Sequence, residues 1–361
     1  MTDRPTITSP YDPALDELCR ELAAMADALD ASNDWPSVQL DLLARYGVYQ
    51  WFMPAAWGGQ DWGDEELIQG YLRLSEACLT TTFIITQRTG ACRRLVDSSN
   101  DALKERLARP LVSGQSFATV GISHLTTSRR HLGKPALSAR ETAAGFVLDG
   151  FSPWVTGAIH AEHVVTGATL DDGRQILTVV PTSLPGVNCE PPAKLVGLSA
   201  SHTGAVRFDS VELPREWLLA GPIENVMAQG GVGGNTGGLQ TSTLAIGLAS
   251  AAITYLEGEA IKRSELVDPC ESLRGEHTAL VHDLMAAAGD RTACSVDDLR
   301  LRANQMVMRA TQAALTAAKG TGYVVGHPTG RWCREAMFFL VWSCPAPVAN
   351  ASLCALAGLG E

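Results

Sequence analysis

The chain has 361 residues, 46% of them hydrophobic and 19% charged, and carries a formal net charge of -11. That length suggests two or three domains at roughly 100–200 residues each, and the composition excludes collagen-like, disordered and disulfide-framework classes. The acidic balance, with basic pairs only at Arg93-Arg94 and Arg129-Arg130, argues against a general nucleic-acid binder.

The first hundred residues read as helix. Asp12 and Pro13 make a cap and first turn, and Leu15, Leu18, Leu22, Met25 and Leu29 follow at three- to four-residue spacing. A second run, Val38 to Tyr46, ends at Gly47. Glu65 to Cys78 gives a third amphipathic helix, and Asp101 to Leu111 a later one. Trp51, Trp57 and Trp62 between them read as packing residues.

From Ser116 the texture changes. Phe146-Val147-Leu148, His163-Val164-Val165, Ile176 to Val180 and Ala205 to Phe208 are short runs rich in strand formers, separated by turn signals at Asp149-Gly150, Asp172-Gly173 and Pro185-Gly186. An antiparallel β domain of about a hundred residues is expected, too dense in strands for a Rossmann unit. Beyond Gly221, Thr241 to Ala260, Ser272 to Gly289 and Val296 to Ala318 read as long helices. The turn Lys319 to Tyr323 and a last helix holding Arg331 to Phe339 follow. The expected division is 1–115 helical, 116–222 β and 223–361 helical.

Two uncharged stretches, Asn225 to Leu256 and Ala336 to Gly360, invite a membrane reading. Small polar residues fill the first, and Pro345, Pro347 and Asn350 interrupt the second, so no spanning segment is expected. Nine cysteines without a CxxC pair, behind a start lacking an apolar run, read as reduced thiols in a cytoplasm. His160, His163, His277 and His282 lack further ligands at metal spacing, so no metal is expected.

Four segments in register resemble one family. RYGVYQWFMPAAWGGQDWGDEELIQGYLRLSEACLTTTF (45–83) is similar to the N-terminal domain of acyl-CoA dehydrogenases, with its P-x-x-x-G-G turn. GFVLDGFSPWVTGAIHAEHVVTGAT (145–169) resembles that family's G-x-x-L-x-G-x-K-x-W-I-T-N strand pair. KLVGLSASHTGAVRFDSVELP (194–214) resembles its K-x-G-x-R-x-S-x-T-x-x-V-x-F-x-x-V-x-V-P segment, and KGTGYVVGHPTGRWCREAM (319–337) its G-G-x-G-Y-x-x-x-x-P-x-x-R-x-x-R-D-A. The likeness spans residues 15 to 350 or so, in the family's order.

The resemblance implies an α+β multidomain fold: an N-terminal helical domain, a middle antiparallel β-barrel-like domain and a C-terminal four-helix bundle. It implies FAD between the β domain and the bundle, the adenosine end reaching a neighbouring subunit of a homodimer or homotetramer. It also implies an acyl-CoA or similar small-molecule substrate and a role in lipid metabolism; the electron acceptor is left open. Trp154 and Thr156 match the residues beside the isoalloxazine, and Phe117, Thr119, Val120 and Ser123 fall in the strand and loop at its edge. Arg263 matches an arginine on the pyrophosphate, and Gly320, Thr321 and Gly322 the backbone that approaches it. The residue types suit these tasks: a guanidinium is a planar donor fork for phosphate, glycine allows close approach, and Trp offers a ring-sized apolar face.

The chemistry signature departs from that pattern. The family's catalytic carboxylate, nine residues past the Arg of R-D-A, falls here on Ser343, and its alternative position on Gly237. Gly121 and Ile122 stand where the family has Glu and Pro, Arg263 to Val267 replaces R-x-x-F-G, and Thr316 replaces a Gln at the dinucleotide. A serine is no general base without an activating neighbour. Three residues remain as catalytic candidates: Ser343 itself; Cys344, as a thiolate or an inert buried thiol; and His124, as a titrating base or an ordinary loop histidine. His202 has the same two readings, and Glu335 is expected at a helix terminus or beside an Arg. The expected function is FAD-dependent oxidation of an acyl thioester or related substrate with hydride transfer to flavin N5 and the base relocated or absent; the alternatives are a flavin-dependent monooxygenase on the same fold and a non-catalytic flavin-binding or assembly homologue.

Overall fold

A computed structural model describes residues 5–126, 135–229, 238–289, 291 and 294–359. Gly237 and the Arg129-Arg130 pair lie outside the described residues.

The N-terminal helices are α1 (Pro13–Ser32), α2 (Ser37–Arg45), α3 (Asp64–Ala77), α4 (Leu79–Val96) and α5 (Asp101–Ser113). Asp12 caps α1 by accepting from the Ala14 N–H at 3.0 Å, with Pro13 in the first turn, as those residue types favour. Trp51 and Trp62 stack at 4.3 Å in the core. The sequence pattern does not announce α4. Its run Leu-Thr-Thr-Thr-Phe-Ile-Ile is buried on every side, so no amphipathic stripe exists to be read. Thr82, Thr86 and Thr89 satisfy their hydroxyls on carbonyls one turn back, at Cys78, Phe83 and Ile85, which lets polar side chains stay inside.

Eight strands follow: β1 (Ala118–Gly121), β2 (Leu137–Glu141), β3 (Gly145–Thr156), β4 (His163–Leu170), β5 (Gln175–Pro181), β6 (Val187–Cys189), β7 (Thr203–Pro214) and β8 (Leu218–Ile223); the short helix α6 (Ser123–Thr126) follows β1. They form one sheet in the order β6-β7-β3-β2-β4-β5-β8, with β1 beside β4. The expectation of an antiparallel domain is met except at two pairs, β1 with β4 and β2 with β4, which run parallel. The sheet is therefore mixed, because β1 arrives from the helical layer rather than from a hairpin.

The C-terminal layer comprises α7 (Leu239–Ala260), α8 (Val267–Ala288), α9 (Val296–Ala318), α10 (Pro328–Ala336) and α11 (Ala346–Leu356). Helix α7 is long and apolar enough by length and composition to cross a membrane, yet 67% of its most apolar window is buried inside the fold. Its Gly247 lets α7 meet α3 closely: a Cβ there would lie 1.9 Å from Ser75 Oγ and 2.6 Å from the Leu72 carbonyl. Glu335 is buried between Arg331, at 3.1 Å, and Thr80, while Arg331 also reaches Asp27 at 2.8 Å; this network joins α10 to α1 and α4.

Gly247→Ala is expected to lower stability by about 1–3 kcal/mol, because the new methyl meets backbone that cannot rotate away. Urea unfolding with an unchanged slope checks this; a wild-type midpoint would show that the helices can separate freely.

Candidate functional site

A cavity of about 920 Å³ opens where the three layers meet. Helices α3 and α4 form one wall, β1 and β3 a second, and the start of α7 with the segment Met337–Ser343 a third. From the sequence-predicted set, Val120, Ser123, Trp154, Thr156 and Ser343 line it.

The β wall has two features that fit a flavin. Trp154 is 52% exposed although it lines a cavity, so a ring-sized apolar face stands uncovered there. The buried Ser123 hydroxyl has no hydrogen-bond partner in the structure, a polar atom that a ligand's heteroatom satisfies. Thr156 shares a 2.9 Å hydrogen bond with Thr203, which is itself 2.9 Å from Ser201, so a chain of hydroxyls sets the position of Thr156. These residues fit a flavin ring with its mixed aromatic and hydrogen-bonding edges.

The other predicted residues fall elsewhere. Thr119 is fully buried and donates to the Thr156 carbonyl at 2.7 Å, so it supports the β wall from behind. Phe117 packs edge-on against Trp35 at 5.6 Å, with its N–H on Glu162. Arg263 and the turn Gly320, Thr321, Gly322 come together at the far ends of α7 and α9: Arg263 donates to the Ala317 carbonyl at 2.8 Å and pairs with Glu259 at 3.0 Å. None of them lines the cavity.

Two catalytic candidates need correction. His124 is neither a surface residue nor at the cavity: it is buried, with Nε2 2.8 Å from the Gly167 carbonyl, and burial lowers its pKa. Cys344 does not line the cavity either, and burial raises its thiol pKa against the opposing effect of Arg300, so a thiolate is disfavoured. His202 bonds His160 at 2.8 Å and the Asn33 carbonyl at 3.1 Å, which fixes a loop. Glu335 is spent on the Arg331 network.

Around Ser343 the wall is aromatic. Phe338 and Trp342 stack at 5.0 Å, and Phe83 meets both edge-on at 4.8 and 4.9 Å. The only carboxylates lining the cavity among the described residues are Asp64 and Asp97, and both are exposed. Among the described residues no cluster of His, Cys, Asp and Glu could hold a metal ion.

Sequence reasoning missed the residue that shapes this wall. Arg300 of α9 is completely buried and donates to the Phe339 and Trp342 carbonyls at 3.0 and 2.9 Å, while Asn304 bonds both Arg300 and Phe339. It thus ends the helical turn after α10 and delivers Ser343 with φ of 44°, a left-handed conformation uncommon for serine. Burial pushes the Arg300 pKa down to about 10. The signal available was an arginine in an otherwise apolar helical stripe, which marks a capping or ligand role.

Arg300→Met is expected to cost about 2 kcal/mol, since two buried carbonyls lose a charged donor while the burial cost of that charge disappears. It should also change the near-ultraviolet circular dichroism of Trp342. Unaltered stability and spectrum would mean that the segment holds itself.

No family model matches the chain. Its sequence is 23% identical over 339 residues to a probable acyl-CoA dehydrogenase of Bacillus subtilis, covering 88% of each chain. Its fold matches butyryl-CoA dehydrogenase from Megasphaera elsdenii with a TM-score of 0.81 at 18% identity, over 95% of this chain and 96% of that one. It also matches dibenzothiophene monooxygenase from Paenibacillus with a TM-score of 0.79 at 13% identity, over 96% and 97%. The fold is that of the acyl-CoA dehydrogenases, and these relatives support the acyl-CoA dehydrogenase superfamily of flavoproteins, with FAD as the cofactor.

Proposed function

We propose that this flavoprotein monooxygenates an apolar substrate rather than desaturating an acyl thioester. The observation that carries the reading is the aromatic wall of Phe83, Phe338 and Trp342 around Ser343, where a desaturating enzyme needs a proton acceptor. Removing an α-proton without a positioned base forfeits about 10²–10⁴-fold in rate, and a serine hydroxyl with no basic neighbour cannot replace it. Bound here, FAD supplies hydride acceptance in one reaction class and, once reduced, activation of dioxygen in the other.

The remaining work falls to the chain's own groups. Trp154, Ser123 and Thr156 would hold the flavin ring. The aromatic wall excludes water and offers the substrate edge-on and stacking contacts. Gln87 on α4, with Gln240 and Thr241 on α7, offers polar groups to orient it. The overall balance is substrate, dioxygen, two electrons and two protons giving oxygenated substrate and water, with the electrons delivered by a separate reductase. The likeness to dibenzothiophene monooxygenase supports this reading. The rival, thioester desaturation, is favoured by the dehydrogenase named among the sequence relatives over 88% of the chain.

Two measurements separate them. FAD-loaded protein titrated anaerobically with acyl-CoA thioesters should keep its flavin absorbance near roughly 450 nm. The same protein, fed by a flavin reductase under isotopically labelled dioxygen with aromatic heterocycles, should transfer one labelled atom to product. Anaerobic bleaching by a thioester, with no label transferred, would return the protein to the dehydrogenases.

A further inference from the structure

A hydroxyl carries one proton, and on the α3–α4 wall of the cavity those protons are already engaged. Thr86 donates to the Phe83 carbonyl at 2.6 Å and Thr89 to the Ile85 carbonyl at 2.8 Å. Thr89 Oγ1 also lies 2.8 Å from the Tyr71 hydroxyl, so the phenol is the donor in that pair. Burial raises the Tyr71 pKa to about 12, which keeps the proton in place. All three residues line the cavity, yet none has a hydroxyl proton left for a ligand.

The same reasoning fixes the neighbouring carboxamide. Gln87 Nε2 donates to Thr86 Oγ1 at 2.9 Å. With its proton on the Phe83 carbonyl, Thr86 can only accept here, so the amide nitrogen and not the oxygen faces it. Gln87 Oε1 is thereby turned away from Thr86. Among the described residues no group donates to it, and it keeps access to solvent. Gln87 lines the cavity one helical turn, about 6 Å, from Phe83 on the same face of α4. An acceptor thus stands beside the aromatic wall of Phe83, Phe338 and Trp342. A ligand that fills this space without a donor removes water from Oε1 and replaces it with nothing. A site of this kind rejects an analogue lacking the donor more strongly than an apolar pocket rejects a change of size.

We infer that Gln87 is the specificity residue of the cavity: its Oε1 accepts a hydrogen bond from an O–H or ring N–H of the substrate, whose aromatic body lies against Phe83, Phe338 and Trp342. Thr86 is a positioning residue that holds the carboxamide in this orientation. The assignment rests on the proposed function in taking the cavity as the substrate site, and it narrows the substrate to an aromatic compound with one hydrogen-bond donor. It concerns binding and is read without turnover.

Equilibrium binding to the FAD-loaded protein, followed through the flavin spectrum, compares two pairs of compounds: 4-hydroxybiphenyl with 4-methoxybiphenyl, and carbazole with N-methylcarbazole. In at least one pair the donor should bind at least about 10-fold more tightly than its methylated partner, and the pair that does so identifies the donor as O–H or N–H. Gln87→Leu should bring the members of that pair to equal affinity. Thr86→Val should shrink the preference, because the released amide can turn an N–H towards the ligand. Equal affinities within both pairs for the unaltered protein, a comparison that needs no variant to fold, overturn the assignment. So does a preference that survives Gln87→Leu, or binding of none of the four compounds; a preference unchanged in Thr86→Val overturns the role of Thr86. Failure of oxygen transfer with the donor preference intact sinks only the monooxygenase reading; oxygen transfer with equal affinities sinks only this one.

Discussion

The site depends on one helix whose first two turns are buried on every side. Helix α4 is packed by α3, α5, β1 and α7, and it survives there only because its threonines return their hydroxyls to its own carbonyls. Because it is enclosed, its side chains reach every part of the junction. Phe83 joins the aromatic wall, Arg88 lies over the Tyr49 ring at 3.8 Å, Gly90 faces β1, and Arg94 enters the cavity. The glycine contact between α3 and α7 closes the layer behind it, so displacing either helix moves the cavity wall.

The aromatic wall opposite is held by a second buried constraint. Arg300 and Asn304 fix the Phe339 and Trp342 carbonyls, and the chain leaves them with Ser343 in a left-handed turn. Phe338, Trp342 and Phe83 surround this point with aromatic faces. Where the resemblance expects a carboxylate, the chain has a serine beside an aromatic wall.

Amphipathic elements were legible in the sequence: α1, α2, α3 and α5 by their stripes, α9 over the same residues, 296–318, and the four longest strands by their β-branched runs and turn dipeptides. Helix α4 was not, since periodicity reports a difference between two faces and its first two turns are buried all round. Strand β1 was legible only through family likeness, and its parallel pairing with β4 was invisible because register is set by tertiary contacts. Trp154, Thr156, Val120 and Ser123, singled out from the sequence, line the cavity on its β side. His124 and Cys344 do not line the cavity, and one sequence does not distinguish a buried polar group from one that faces a cavity. Arg300 escaped for the same reason: its role comes from burial, which only the fold reveals.

The central claim is that, among the described residues, no base stands at the aromatic wall around Ser343 to take a proton from the carbon next to a thioester carbonyl. Exchange of that proton isolates the step from electron transfer. FAD-loaded protein incubated anaerobically in deuterium oxide with butyryl-CoA and longer acyl-CoA thioesters, and followed by mass spectrometry, should leave the α-hydrogens in place at the rate of the uncatalysed solution. Deuterium appearing at the α-carbon in the presence of the protein would reveal a base and contradict the account.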